Sequence, residues 1–171
     1  MHDSIYVPAE DSYLLKKHIK NYNFKTALDM GTGSGIIASE LSKYGSVTGV
    51  DLNIEAIKFC KKNIKGNFFI SNLFSNVSNK FDLITFNAPY LPKDKGINDI
   101  ALYGGKEGYE VIEKFLKKAK DYLNHKGKIL LIFTSHSKPE KIKELMDEKY
   151  SYKLIDKIHI FFEDIFLYEL Q

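Results

Sequence analysis

Thr26-Ala27-Leu28-Asp29-Met30-Gly31-Thr32-Gly33-Ser34-Gly35 decides the fold. An apolar run of strand length, 26–30, ends in three alternating glycines. It opens directly into Ile36-Ile37-Ala38, the start of a helix predicted to reach Tyr44. Glycine admits positive φ and lets a ligand approach the backbone. The helix N-terminus adds free N–H groups. The next strand, Ser46 to Asp51, closes on a carboxylate 16 residues past Gly35. An acid there can hold both hydroxyls of a ribose. Dinucleotide binding by G-x-G-x-x-G would need a glycine at position 36, which is Ile36. A tight strand-to-helix turn without a ligand stays open at this point.

Working outward, strand-like runs alternate with helical patterns, which predicts a parallel sheet flanked by helices on both faces. An opening helix is expected from Glu10-Asp11-Ser12 through Leu14-Leu15 to about His18. A helix over Ile54–Ile64 follows Asp51, then a short strand Asn67–Ile70 and a strand Asp82–Phe86. A long loop, 91–108, carries Lys93, Asp94, Lys95 and several glycines; loops of this length are usually functional or mobile. A helix over 109–123, a strand over 128–133 and a helix over 138–148 come next. Two final strands, 153–162 and 165–170, are predicted to be antiparallel neighbours about a turn at Glu163-Asp164. The expected α/β architecture is a Rossmann-like, seven-stranded, mostly parallel sheet with one antiparallel strand near the C-terminus. No repeat or linker divides residues 1–171, so one domain is expected.

Composition narrows the function. The 44% apolar and 27% charged content is that of an ordinary globular protein, and no apolar run is long enough for a bilayer. A cytoplasmic protein with no membrane association is expected. Net charge is only +3, and all 25 basic residues are lysine. Bidentate guanidinium recognition of phosphate or guanine is therefore missing, which disfavours nucleic acid. The single cysteine, Cys60, reads as a small packed side chain, not a nucleophile. The five histidines show no ligand spacing, and no metal site is expected.

Asn87-Ala88-Pro89-Tyr90 follows the buried strand Asp82–Phe86. An amide, a proline and a ring at such a strand end are suited to holding a planar NH2 still while its nitrogen attacks a carbon. The lone pair of that nitrogen is delocalised. Two acceptors gripping its hydrogens favour a tetrahedral geometry and free the lone pair. Asn87 can supply a side-chain oxygen, and residue 88 its carbonyl. Pro89 stiffens the turn, and Tyr90 can stack on the flat acceptor. A simple strand-end turn with a packing tyrosine is the plainer reading.

The Gly-x-Gly-x-Gly turn with its preceding Asp29 resembles class I S-adenosylmethionine-dependent methyltransferases, and Asn87-Ala88-Pro89-Tyr90 resembles the Asn/Asp-Pro-Pro-Tyr motif of amino methyltransferases. Ala88 departs from that motif while keeping the carbonyl. With Tyr6-Val7-Pro8-Ala9-Glu10-Asp11-Ser12 and Leu102-Tyr103-Gly104-Gly105-Lys106-Glu107-Gly108, the whole chain resembles the HemK-related protein-glutamine N5-methyltransferases of archaea and eukaryotes. The resemblance implies S-adenosylmethionine as cofactor. It implies the Gly-Gly-Gln loop of a class I translation release factor as substrate, and a small zinc-binding activator protein as partner. By the same resemblance Gly31, Thr32, Gly33, Ser34 and Gly35 cradle the methionine end with Asp29. Asp51-Leu52 take the ribose, Asn72-Leu73 the adenine, and Asn87 borders both ligands. Catalysis falls to Asn87, Pro89 and Tyr90. Ser12 either reaches the cofactor carboxylate or caps the first helix.

The third strand, Phe68-Phe69-Ile70, should lie at the sheet edge, where an exposed apolar strand could pair with the activator unless a helix or loop covers it. Three rivals stand beside this reading. They are an adenine or guanine N-methyltransferase acting on DNA or RNA, a protein-lysine methyltransferase, and a non-catalytic subunit that binds S-adenosylmethionine.

Overall fold

The strand-to-helix alternation read from the sequence builds one central sheet. The computed structural model describes residues 7–92 and 103–171; Tyr6, Leu102 and the lysine-bearing stretch of the predicted loop lie outside the described residues. Strands β1 (Thr26–Met30), β2 (Ser46–Asp51), β3 (Asn67–Ile70), β4 (Phe81–Asn87), β5 (Leu91–Pro92), β6 (Tyr103–Gly105), β7 (Leu123–Thr134), β8 (Tyr152–Ile160) and β9 (Glu163–Leu170) alternate with helices. These are α1 (Glu10–Ile19), α2 (Ile36–Leu41), α3 (Ile54–Asn63), α4 (Glu110–Ala119) and α5 (Pro139–Asp147). The main sheet runs β3-β2-β1-β4-β7-β9-β8. Its first five strands are parallel, and β9 is antiparallel to both neighbours. Seven strands with one reversed is the predicted architecture.

Successive strand residues face opposite layers, so both faces must be covered. Ala27, Leu83, Leu130 and Ile132 pack against Leu15 and Ile19 of α1, Leu41 of α2 and Ile57 of α3. Leu28, Met30, Ile84, Phe86 and Leu131 face Phe115 and Leu116 of α4 and Ile142 and Met146 of α5. Among the described residues, no helix is long and apolar enough to cross a membrane.

Register explains the position of the site. Met30 pairs with Val50 on one side and Phe86 on the other. Gly31, Asp51 and Asn87 therefore leave the sheet at the same edge. The chain winds from β1 outward to β2 and β3, then returns to β4 on the opposite flank. Such a reversal opens a crevice at the carboxyl ends of the strands.

Four sequence-based boundaries shift for physical reasons. α2 stops at Leu41, where Ser42 and Gly45 close the helix on Ala38 and Leu41 carbonyls. β7 begins at Leu123, five residues early, because a bulge opposite Phe81/Leu83 lets the strand start before Gly127. A Cβ on Gly127 would lie 2.9 Å from the Phe81 carbonyl oxygen. The predicted loop contains a short parallel pair, β5 with β6. Finally, the turn between the last strands is Phe161-Phe162, not Glu163-Asp164. Ile160 pairs with Glu163, Phe161 takes a left-handed φ of 51°, and both carboxylates enter β9. Asp164 is drawn into the strand by Lys157 and His159 across the pair and by Ser135, whose Oγ accepts its N–H. Charge pairing overrides the usual preference for polar turns.

β3 does lie at the sheet edge, but its three apolar residues diverge. Phe68 is buried, Phe69 is half-buried against the α4 layer, and Ile70 is 43% exposed. Phe68 belongs to the core and offers nothing to a partner.

Candidate active site

The glycine turn is strained in the way only glycine tolerates. Gly31, Gly33 and Gly35 have φ of 68°, 48° and 74°. Gly35 is also pressed onto α3: a Cβ there would sit 2.3 Å from Ile64 Cδ1 and 2.9 Å from Cys60 Sγ. The turn is pinned to β2 by the Thr32 N–H donating to the Val50 carbonyl. Asp51 completes the pin. Its Oδ2 accepts the Gly33 N–H at 2.8 Å, and its Oδ1 accepts the Asn53 N–H at 2.8 Å. Each carboxylate oxygen keeps a lone pair, the acceptor set a vicinal diol requires. Leu52 beside it is exposed.

Asp29 lies behind the turn, fully buried. Its Oδ2 accepts from Thr32 Oγ1 at 2.9 Å and its Oδ1 from Thr85 Oγ1 at 3.0 Å. It also accepts the Ala38 N–H, one of the donors that α2 leaves without a helical partner. Asp29 and Thr32 therefore shape the turn from inside. Ser34 is half-buried on the turn itself.

Burial pushes Asp29 up to about 7 from the usual 3.8, with Asp51 adding repulsion and the hydroxyl donors pulling down. The fold favours the neutral acid. Its stabilising contribution is complete below about pH 3.8 and is lost as pH rises through 7. A rise of this size corresponds to about 4 kcal/mol. Chemical denaturation of the wild type and of Asp29→Asn between pH 4 and 8 should show the wild type losing stability relative to the variant by an amount of that order. Parallel curves for the two would contradict the burial argument.

Asn72 is exposed two residues beyond β3. Its N–H donates to Ser75 Oγ, and its carbonyl accepts the Ser75 N–H. Leu73 follows in a left-handed conformation, half-buried against the core. Both leave the sheet on the same flank as Leu52, since β3 is the neighbour of β2 and Asp51 pairs with Ile70.

Asn87 closes β4 on the other flank of β1. Its Nδ2 donates to Ser12 Oγ at 3.3 Å. That bond fixes the amide with Oδ1 on the opposite side, and Oδ1 is buried with no hydrogen-bond partner among the described residues. A buried, unpaired acceptor costs about 1–3 kcal/mol, so native structures rarely keep one without use. Ser12 is not the cap of α1; Ala9 holds that position. Ala88 turns its methyl into the core beside Phe86. Pro89 packs under the double glycine: a Cβ on Gly104 would lie 2.7 Å from the Pro89 carbonyl oxygen.

A family model described as "Methyltransferase small domain" matches residues 9–161. The chain belongs to this methyltransferase family. It is 35% identical over 178 residues to a Methanocaldococcus jannaschii protein named, provisionally, a protein N5-glutamine methyltransferase, covering 96% of this chain and 90% of that protein. It is 34% identical over 174 residues to the release factor glutamine methyltransferase of Buchnera aphidicola subsp. Schizaphis graminum, covering 85% of this chain and 60% of that enzyme. Among solved structures, the E. cuniculi Mtq2–Trm112 complex, described as responsible for methylation of the translation termination factor eRF1, superposes with a TM-score of 0.83 at 26% identity, covering 98% of each chain. Methyltransferases of this kind generally draw on S-adenosylmethionine.

The methyltransferase adds two residues to the site that sequence reasoning assigned elsewhere. Tyr90 is hydrogen-bonded to Asp11, expected from sequence only as part of the opening helix. Burial, together with the carboxylates of Asp11, Glu163 and Glu10, raises its phenol well above the ordinary value. Tyr90 therefore stays protonated and donates to Asp11, which locks its ring. Glu163, read as a turn residue, stands near that ring. Its Oε2 is buried and has no hydrogen-bond partner among the described residues, and His136 Nε2, 3.9 Å away, pairs with it only when protonated. Spacing alone gave no signal for either.

Cys60 is a packed thiol raised to about 11, chiefly by burial, and no nucleophile. No cluster of three metal-ligating side chains occurs among the described residues. A cavity of about 820 Å³ opens at the far, amino-terminal edge of the strands, lined by Tyr22, Lys25, Asp82, Lys128 and Glu169. Its Tyr22, Glu169 and Lys128 already satisfy one another.

Proposed function

We propose that this methyltransferase moves a methyl group from S-adenosylmethionine to the side-chain amide nitrogen of the glutamine in the Gly-Gly-Gln loop of a class I translation release factor. The observation that carries the reading is the unpartnered Oδ1 of Asn87, two residues before Pro89 and three before a locked Tyr90.

The residues present fit the cofactor. Gly31, Thr32, Gly33, Ser34 and Gly35 would hold its methionine end, with Asp29 and Thr32 fixing the turn from behind. Asp51 has two open lone pairs for the ribose hydroxyls. Leu52 and Leu73 would flank the adenine, with Asn72 supplying its hydrogen bonds. When bound, the cofactor supplies an electrophilic methyl carbon on a sulfonium.

The chain's own work is positioning. Asn87 Oδ1 would accept one N–H of the glutamine amide, and the residue 88 carbonyl the other. Both hydrogens are then held on one side, and the lone pair projects from the opposite side. Pro89 keeps the carbonyl in place, and Tyr90 covers the flat amide. After transfer the nitrogen is cationic and its proton is acidic, so water can remove it. A lysine ammonium would present no lone pair to two acceptors, and a nucleobase would find carboxylates at the rim.

For partners, we infer a small, zinc-binding activator protein seated along β3. The outward half of Phe69, Ile70 and the free strand edge would meet it. The similarity to the Mtq2–Trm112 complex supports this reading. A cytoplasmic location fits a substrate of the translation machinery.

Incubating a recombinant release factor with labelled S-adenosylmethionine and the full chain, alone and with the activator, should add one methyl to the Gly-Gly-Gln glutamine by peptide mass spectrometry. Label on RNA, DNA or lysine instead would redirect the assignment.

A further inference from the structure

The hairpin joining β8 to β9 ends in two aromatic side chains that pack on nothing. Phe161 is 87% exposed and Phe162 93% exposed, the two most exposed large apolar residues described. Phe161 also holds a left-handed backbone that favours glycine or asparagine. Neither turn geometry nor core packing selects this pair. Its location is specific. β9 runs antiparallel to β7, and Ile165 pairs with Thr134 at the carboxyl end of β7. The tip therefore projects past the same sheet edge as Asn87. Glu163, the next residue, acts electrostatically on Tyr90 and keeps a buried oxygen without a hydrogen-bond partner among the described residues, with His136 Nε2 3.9 Å away.

We propose that Phe161-Phe162, with Glu163 at their base, form a docking lip for the protein substrate. This rests on the reading of the site as one that methylates a folded protein. The lip would enter an apolar depression on the substrate near its reactive glutamine, while Glu163 Oε2 takes an N–H or cationic group flanking it. Charge selects this occupant over others. The carboxylates around Tyr90 are Asp11, Glu163 and Glu10. On the hairpin, Lys157 and His159 are both engaged by Asp164. A rim of that sign repels anionic lipid and nucleic acid and suits a basic protein surface. Continuity with the acceptor site favours the substrate over the activator, whose expected edge strand, β3, lies at the opposite end of the sheet.

The test is the double variant Phe161→Asn/Phe162→Ser, in which asparagine suits the left-handed position and the hairpin is retained. Methyl transfer is measured with full-length release factor and with a short Gly-Gly-Gln peptide, using the full chain with and without the activator. KM for the full-length factor should rise about tenfold or more, as expected for loss of two aromatic anchors. kcat, KM for the peptide, cofactor affinity and melting temperature should stay within about twofold or a degree or two. Unchanged KM for the full-length factor overturns the docking lip while leaving the proposed function standing. No transfer by the wild type to either substrate overturns the proposed function and the lip with it. Loss of activator co-purification in the variant, or wild-type-only flotation with phosphatidylglycerol vesicles, each with unchanged KM, gives the lip another occupant and overturns the proposal.

Discussion

Asn87→Ala should lower kcat by about a thousandfold or more while changing cofactor affinity less than about threefold. Positioned acceptors act where the nitrogen must pyramidalise, so their loss falls on the chemical step. The side chain meets the protein through one 3.3 Å bond to Ser12 and leaves its oxygen buried and unpaired. Removing it therefore relieves a desolvation cost, and the variant should melt at the same temperature or slightly higher. A core asparagine with a purely structural role would behave oppositely, with stability falling and activity following in proportion. Asn87→Asp separates the two halves of the side chain. It keeps an acceptor but cannot donate to Ser12, so it should retain a measurable fraction of turnover. Single-turnover methyl transfer, with calorimetry for the cofactor, reads all three effects. Full turnover in Asn87→Ala would remove the clamp from the mechanism.

Much of this arrangement is legible in the sequence, and the parts that are not share a cause. The turn at Gly31, Gly33 and Gly35 is legible because positive φ is nearly confined to glycine. All three do adopt it. Alternation of strands and helices gives the parallel sheet with β3 at its edge, and the structure supplies the order of the other strands. That order places Asp51 and Asn87 on either side of β1. What sequence does not show is which way a polar side chain turns. Asp29 reads as an acid that helps place the methionine end; that its carboxylate would sit behind the turn, bonded to Thr32, Thr85 and Ala38, is visible only in the structure. Asp11 reads only as the start of a helix; its partner Tyr90 is far away in sequence. Phe68 reads as part of an exposed edge, yet strand alternation puts it inside. The hairpin tip falls on Phe161-Phe162, whereas a turn rule chooses the acids beside it, because phenylalanine has no local preference for a turn. Such a pair is kept at a tip for what it meets outside the chain.

Asp51→Ala should weaken S-adenosylmethionine binding about a hundredfold, with kcat at saturating cofactor falling far less. Two effects add. The carboxylate would take the ribose hydroxyls through charge-assisted bonds, which are stronger than neutral ones and worth about 1.5–3 kcal/mol each. It also holds the Gly33 and Asn53 N–H groups, each at 2.8 Å. Without it the Gly33 peptide loses its tie to β2, and the turn must be ordered when ligand binds, a cost that appears in affinity. Asp51→Asn distinguishes these contributions. Its single acceptor oxygen can keep the Gly33 N–H, whereas its NH2 would face the Asn53 N–H. It should hold the turn in place yet still lose most of the affinity for the diol. Adenosine and its 2′-deoxy analogue provide the second axis. Wild type should discriminate between them strongly by calorimetry, and both Asp51 variants weakly. Equal preference for the two ligands in wild type would mean that the acid serves the turn alone, and the ribose must then be held elsewhere along the crevice.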